Sequence, residues 1–241
     1  MKICVAQIKP VKGDVTFNIQ HHKTFIHLAV EESAEMIVFP ELSITGYEPS
    51  LAKELATTKE DERLEAFQQI SDKNNIVIGV GIPLNSNNGI MIGMVIFQPH
   101  KPRETYVKQY LHADEFPFFI LGQPLAPLIQ HKIALAICYE ISVPDHSEAA
   151  HENGAAIYIA SVAKSVKGTE KAIESLSAIA RKYSMITLIS NCVGHCDDFE
   201  CGGRSAVWNN EGILLAQLDN KEEGMLIIDT SNLEVTVKAL H

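Results

Sequence analysis

The sequence predicts an α/β protein in which two β-sheets are sandwiched between helices. Strand-length apolar runs alternate with helix-length stretches through most of the chain. Some strands are joined by tight turns and others by helices, which excludes a purely parallel sheet. No Pro/Gly/Ser-rich linker and no fixed-period repeat divides the 241 residues, so residues 1–241 read as a single domain.

KICVAQI (2–8) is the first strand. A helix is expected over 16–34, with Asp14 or Thr16 as its cap and Phe17, Ile19 or Gln20, Thr24, His27 and Leu28 near one face. MIVF (36–39) is a buried strand, followed by a loop to Pro49. Residues 51–73, rich in Glu, Lys, Ala and Leu, favour one helix. IVIGVGIPL (76–84) and IMIGMVIFQ (90–98) flank a turn of Asn, Ser and Gly and read as an antiparallel pair. Pro99 and Pro102 bracket the turn before RETYV.

The second half repeats the alternation. IALAIC (133–138) is a strand, 145–154 a helix closed by Gly154, and AAIYIA (155–160) a strand. A helix over 168–183 and the strand MITLISN (185–191) follow. SAVWN, ILLAQL and GMLIID, within 205–229, are three strands separated by turns with Gly212 and Asn220.

The formal net charge of −10 disfavours phosphate backbones, so nucleic acid is not an expected partner. No apolar run is long enough to span a bilayer, and MKICVAQIKP lacks the apolar core of a signal peptide. A cytosolic location is expected. Five cysteines, an odd number, argue against a disulfide framework.

Three strand-like runs each end at a reactive side chain: MIVFP at Glu41, RETYV at Lys108 and IALAI at Cys138. In open α/β sheets ligands bind beyond the carboxyl ends of strands. Cys138 enters a strand–turn–helix setting, where backbone N–H groups stabilise an anion. A free thiol has a pKa of roughly 8.5 and needs a base or cation to act as a nucleophile at neutral pH. Glu41, directly after an apolar strand, suits a general base. Lys108 favours the thiolate and can hold an oxyanion. Glu115, seven residues on, can orient Lys108 or carry protons. Taken singly, each has an ordinary structural explanation: a packed cysteine, a capping glutamate, a solvated lysine, an exposed loop carboxylate.

The strings around them are more specific. FPELSITGY, YVKQYLHADE and ICYEISVPD closely resemble the three signature segments of the nitrilase superfamily, the carbon–nitrogen hydrolases. The resemblance extends to KICVAQIKPVKGDVTFN, NGAAIYIAS, SNCVG and GRSAVWNNEG. It implies a four-layer α-β-β-α sandwich, commonly paired as a homodimer through its helical layers. It implies a Glu41–Lys108–Cys138 triad, with Glu115 as a further structural or catalytic glutamate, and no cofactor. Asp145, where many members carry Glu, and Phe116 depart from the pattern; Phe116 bears on pocket shape.

The implied reaction is hydrolysis of a small, linear amide through a Cys138 thioester, with the oxyanion held by Lys108 and the Tyr139 N–H. A nitrilase, an N-carbamoyl-amide hydrolase or an acyltransferase on the same scaffold is the alternative, and a non-catalytic scaffold protein the third reading. Tyr139, where many nitrilases have Trp, leans towards amides. Tyr47, Phe118, Phe119, Tyr139, Ser161 and Ala163 lie in segments expected to ring the pocket.

Other signals are weaker. Cys192, Cys196 and Cys201, with His195 among them, lack the paired C-x₂-C of structural zinc sites. A flexible acidic loop without metal is expected there, one that can border the active site. Gly79-Val80-Gly81 lacks the third glycine of a dinucleotide fingerprint. A Cys138–His146 dyad stays open from sequence.

Overall fold

The computed structural model describes residues 1–122, 128–130 and 132–240. β1 (Lys2–Gln7) runs parallel to β2 (Met36–Val38), and β2 parallel to β3 (Val77–Ser86). β4 (Gly89–Phe97) and β5 (Glu104–Val107) continue that sheet by antiparallel pairing. A second sheet begins at its edge with β6 (Ile133–Ile137), parallel to β7 (Ile157–Val162) and then β8 (Ile186–Asn191). β9 (Val193–Cys196) and β10 (Phe199–Gly202) form a separate hairpin. β11 (Ala206–Trp208) and β12 (Leu214–Gln217) complete the second sheet. β13 (Glu223–Asp229) and β14 (Val235–Leu240) return to the first. The orders are β14-β13-β1-β2-β3-β4-β5 and β12-β11-β8-β7-β6.

α1 (Val15–Glu31) and α3 (Glu65–Asn74) cover the outer face of the seven-stranded sheet through Ile19, Phe25, Ile26, Phe67 and Ile70. α4 (Pro144–Glu152) and α5 (Val166–Tyr183) cover the outer face of the five-stranded sheet through Ala150, Ala172, Leu176 and Ala180. Between the sheets Ile3, Val5, Met36 and Val38 meet Ile133, Leu135, Ile159 and Leu188. Three apolar interfaces thus separate four layers, as expected from a sheet that is hydrophobic on both faces.

Four expectations change. α1 is capped by Asp14, whose Oδ1 accepts the Phe17 N–H at 2.9 Å, but its buried stripe is Val15, Ile19, His22, Ile26 and Ala29. Phe17 is 48% exposed. The expected face mixed two sides because Asn18 and His22 are buried by hydrogen bonding rather than hydrophobicity: Asn18 Nδ2 donates to the Ile44 carbonyl, and His22 Nε2 lies 2.9 Å from Ser43 Oγ.

The single helix over 51–73 is broken. α2 (Ala52–Leu55) stops, and Thr57 pairs with Leu84 in a parallel bridge before α3 begins. Asn85 N–H donates to the Thr57 carbonyl at 2.7 Å, so sheet pairing prevails over local helix propensity. The loop expected around Cys192–Cys201 is the β9–β10 hairpin. β14 was not anticipated, because its polar alternation suits an edge strand that pairs only with β13.

Candidate active site

Glu41 follows β2 and Pro40, and Leu42 turns the chain back with φ of +51°. The turn presses against β3 at Gly81, where a Cβ would lie 2.4 Å from the Leu42 nitrogen and 2.5 Å from the Pro40 carbonyl oxygen. The glycine that carried no meaning as part of a nucleotide motif is the one that admits the Glu41 backbone. The Glu41 carboxylate is buried, and its Oε2 accepts the Ala163 N–H at 3.2 Å.

Lys108 follows β5 and is 1% exposed. Its Nζ donates to Glu41 Oε1 at 2.7 Å and to Glu115 Oε1 at 2.6 Å. Glu115 is itself held by Tyr47, whose hydroxyl donates to Oε1 at 3.0 Å, and by the His112 N–H, which donates to Oε2 at 2.8 Å. Burial alone would lower the lysine pKa. The adjoining Glu41, Cys138 and Glu115 outweigh it and keep the ammonium above its ordinary range. Burial, with Glu115 nearby, raises Glu41 despite the opposing pull of Lys108.

Cys138 sits at the end of β6 with φ of +46°, the left-handed region that costs an L-residue roughly 1–2 kcal/mol. The strained turn is fastened by Glu140, which is fully buried. Its carboxylate accepts the Ile137 N–H at 2.6 Å, the Gln109 N–H at 2.5 Å and the Tyr106 hydroxyl at 2.6 Å. Burial raises the Glu140 pKa to about 7, against these stabilising donors. The Cys138 sulphur lies 4.0 Å from the Ala163 carbonyl oxygen, beside the residue whose N–H Glu41 accepts. Burial and the neighbouring Glu41 carboxylate push it up to about 11, with Lys164 and Lys108 opposing. The resting nucleophile is therefore a neutral thiol under the influence of a neighbouring carboxylate.

The thiol opens into a cavity of about 270 Å³ lined by Tyr47, His112, Glu115, Tyr139, Lys164 and Phe199, together with Asp114 and Ala163 at its wall. A larger groove of about 670 Å³, bounded by Glu60, Glu65, Asp72 and His100, shares no residue with it and holds no nucleophile.

Most of the residues named from sequence therefore converge: Glu41, Lys108, Glu115, Cys138, Tyr47, Tyr139 and Ala163. Three named pocket residues, Phe118, Phe119 and Ser161, do not. Phe118 is 42% exposed and off the cavity, because the turn after Glu115 directs Phe119 into the core instead. Ser161 is buried within β7, where its hydroxyl donates to the Phe39 carbonyl at 2.8 Å and braces one sheet against the other. Phe116 is 58% exposed and does not shape the cavity. His146 forms no dyad with Cys138: Tyr106 and Tyr158 engage its two ring nitrogens at 2.8 and 2.7 Å.

Sequence reasoning missed Glu140, Lys164 and Phe199. Glu140 stood in plain view within ICYE, two residues after the nucleophile, at capping-box spacing from Ile137. Lys164 and Phe199 carry no local signal, since only the packing of the β9–β10 hairpin and the β7–α5 turn brings them to the thiol.

The family model described as carbon–nitrogen hydrolase matches residues 2–237. The amidase of Nesterenkonia sp. AN1, solved with the acetamide moiety of fluoroacetamide added at its active site cysteine, superposes with a TM-score of 0.85. It is 22% identical, and the match covers 95% of this chain and 90% of that one. Among curated relatives, the glutamine-dependent NAD(+) synthetase of Acinetobacter baylyi is 24% identical over 92% of this chain and 42% of its own length. An (R)-stereoselective amidase from Pseudomonas sp. is 22% identical over 86% of this chain and 77% of its own. The chain thus spans about two-fifths of the synthetases it matches.

Proposed function

This chain belongs to the carbon–nitrogen hydrolase family, and on that premise we propose that it hydrolyses a small amide through a thioester on Cys138. The observation that carries the proposal is the meeting of the strand ends: Glu41 accepts from the Lys108 ammonium at 2.7 Å and from the Ala163 N–H at 3.2 Å, and the Cys138 sulphur lies 4.0 Å from the carbonyl oxygen of that same Ala163. Glu41 accepts the thiol proton as sulphur bonds to the amide carbon, and the carbonyl electrons move onto oxygen. Lys108 and the Tyr139 N–H hold that oxyanion. Its collapse breaks the C–N bond, and Glu41 passes the proton to the leaving nitrogen, giving ammonia from a primary amide. Water then gives a proton to Glu41 and adds to the thioester carbon. The second collapse breaks the C–S bond, the proton returns to sulphur, and a carboxylic acid leaves.

The cavity of about 270 Å³ suits a short acyl group. The amidase that matches in fold has also been solved with butyramide, which supports aliphatic amides as the first substrates to try. A second reading is favoured by two charged residues on the cavity wall, Asp114 and Lys164. They are suited to the amino and carboxylate groups of an ω-amide such as glutamine, the substrate class that three relatives' names carry.

A panel of aliphatic amides, glutamine, nitriles and N-carbamoyl compounds, assayed for ammonia and acid, separates these readings. The expected result is amide turnover with a Cys138-linked acyl adduct in the intact mass, absent in Cys138→Ala. Ammonia release undiminished in Cys138→Ala would sink the thioester route.

A further inference from the structure

Behind the pocket wall, Cys192, Cys196 and Cys201 converge on one point. Cys192 leaves the end of β8, and the other two sit on β9 and β10. Their sulphurs are separated by 2.8 Å (Cys192–Cys201), 3.1 Å (Cys196–Cys201) and 3.8 Å (Cys192–Cys196). All three side chains are buried, at 1–2% exposure, within the core between the sheets. Nothing in the proposed reaction uses these thiols.

We infer that the three cysteines form a binding site for a soft, thiophilic d¹⁰ cation of the copper(I) or zinc(II) class, seated behind the Tyr47–Phe199 wall of the pocket. Thiolate sulphur selects such ions. A metal–sulphur bond of about 2.3 Å sets sulphurs roughly 3.8–4.0 Å apart around one ion. The Cys192–Cys196 edge already has that length, and the other two reach it by opening roughly 1 Å through side-chain rotation.

The arrangement argues against a thiol–disulfide relay. Exchange passes through a thiolate attacking a disulfide sulphur with the leaving sulphur beyond it, which calls for three sulphurs in line. Here the longest edge is far shorter than the other two together, so the sulphurs mark a triangle. A disulfide would join two of them and leave the third buried beside it.

The ligand count ranks the two ions. Among the described residues, no further His, Cys, Asp or Glu joins the group. His195 and Glu200 occupy the outer side of the hairpin, at 67% and 66% exposure. Structural zinc sites almost always take four ligands, whereas a closed three-sulphur site satisfies copper(I). The β9–β10 spacing was unlike known zinc motifs because the triangle is assembled by hairpin register, which sets Cys201 opposite Gly194 and Cys196 opposite Phe199.

The site also touches the pocket through its own elements. Phe199 stands two residues before Cys201, and its ring lies 5.9 Å from that of Tyr47. An ion joining the three cysteines would tie the hairpin to the end of β8 and hold this pair of rings.

The test uses the Cys138→Ala chain, so that the nucleophile does not compete, reduced and freed of metal. Copper(I) is titrated anaerobically against a chromophoric chelator, and zinc(II) separately against its own. One equivalent of copper(I) is expected to bind with three sulphur neighbours in X-ray absorption. Cys192→Ser, Cys196→Ser and Cys201→Ser should each weaken it at least 100-fold, and Cys4→Ser should not. Tighter retention of zinc, with the same three sulphurs, would support the site and reverse the ranking. Two-sulphur coordination, an affinity unmoved by any of the three variants, or an intramolecular disulfide in the air-exposed chain where copper(I) fails to bind would overturn it. If a variant misfolds, the sulphur count in the chain with all three cysteines decides.

Discussion

Glu115 Oε1 receives the Lys108 ammonium at 2.6 Å, in the same buried cluster where Lys108 donates to Glu41 at 2.7 Å. One cation thus serves two carboxyl groups beside the thiol. Like charges nearby raise a carboxylate pKa, and Glu115 does so to Glu41. Glu115→Gln keeps the side chain's size and removes that charge. Activity requires ionised Glu41, so it is lost as pH falls through the Glu41 pKa. The acidic limb of kcat/KM should therefore move to lower pH in Glu115→Gln, with kcat reduced about 10–100-fold at neutrality. A pH–rate profile with an unmoved acidic limb would show that Glu115 does not act on the base.

The left-handed backbone at Cys138 separates chemistry from strain. Cys138→Ala and Cys138→Gly should both lose turnover by about 10⁴-fold or more, since no other nucleophile adjoins Glu41 among the described residues. Alanine keeps the strain and glycine does not. Thermal or urea unfolding should find Cys138→Gly more stable than Cys138→Ala by about 1 kcal/mol. The reverse order would mean that the turn is unstrained.

Gly81 sets the position of the base. A methyl group there meets the Leu42 nitrogen at 2.4 Å and the Pro40 carbonyl at 2.5 Å, both backbone atoms, so the Glu41 turn must move. Gly81→Ala should lower kcat by about 100-fold and destabilise by about 1–3 kcal/mol. Gly154→Ala provides the contrast: φ is +90° but nothing lies within 4 Å of the added carbon. It should destabilise by about 1 kcal/mol and leave kcat unchanged. Steady-state kinetics alongside denaturation decide between positional and global effects.

Glu140 makes stability depend on pH in an unusual direction. Its pKa is raised from the usual 4.5 to about 7, so the folded state binds this proton more tightly than the unfolded chain. The contribution is fully present below about pH 4.5 and is lost as pH rises towards 7. Over that window Glu140 should lower stability by up to about 3 kcal/mol. Unfolding free energies of the parent chain and Glu140→Gln, measured from pH 4.5 to 8, should differ by that slope. Parallel curves would refute the shift.

Lys164 opposes the rise in the Cys138 pKa. In Lys164→Gln, alkylation of Cys138 by iodoacetamide should require higher pH than in the parent chain. If glutamine is a substrate, the same variant should raise its KM more than that of an aliphatic amide. Equal effects on both amides would remove Lys164 from recognition of a substrate carboxylate.

The strands, most helices and the three reactive side chains were legible in the sequence because they rest on local facts: apolar runs, caps and turns, and strings around Glu41, Lys108 and Cys138 that tolerate little change in backbone. The broken helix around Thr57 and the buried face of α1 were not, because their determinants are partners distant in sequence: Leu84 for Thr57, Ile44 and Ser43 for Asn18 and His22. Phe118 and Ser161 fall outside the pocket for the same reason. Their direction depends on a turn and a sheet interface that flanking residues do not encode.

By itself the sequence determined which groups were available: a carboxylate, an ammonium and a thiol, each at a strand end. Only the tertiary structure decided that they meet. Glu41 and Lys108 belong to one sheet and Cys138 to the edge of the other, so their contact exists only because the apolar faces of the two sheets pack together with these strand ends aligned. The three further cysteines show the same division. Their spacing said nothing of a site, and the register of a short hairpin brought their sulphurs to one point, because cross-strand pairing places residues by geometry rather than by separation along the chain.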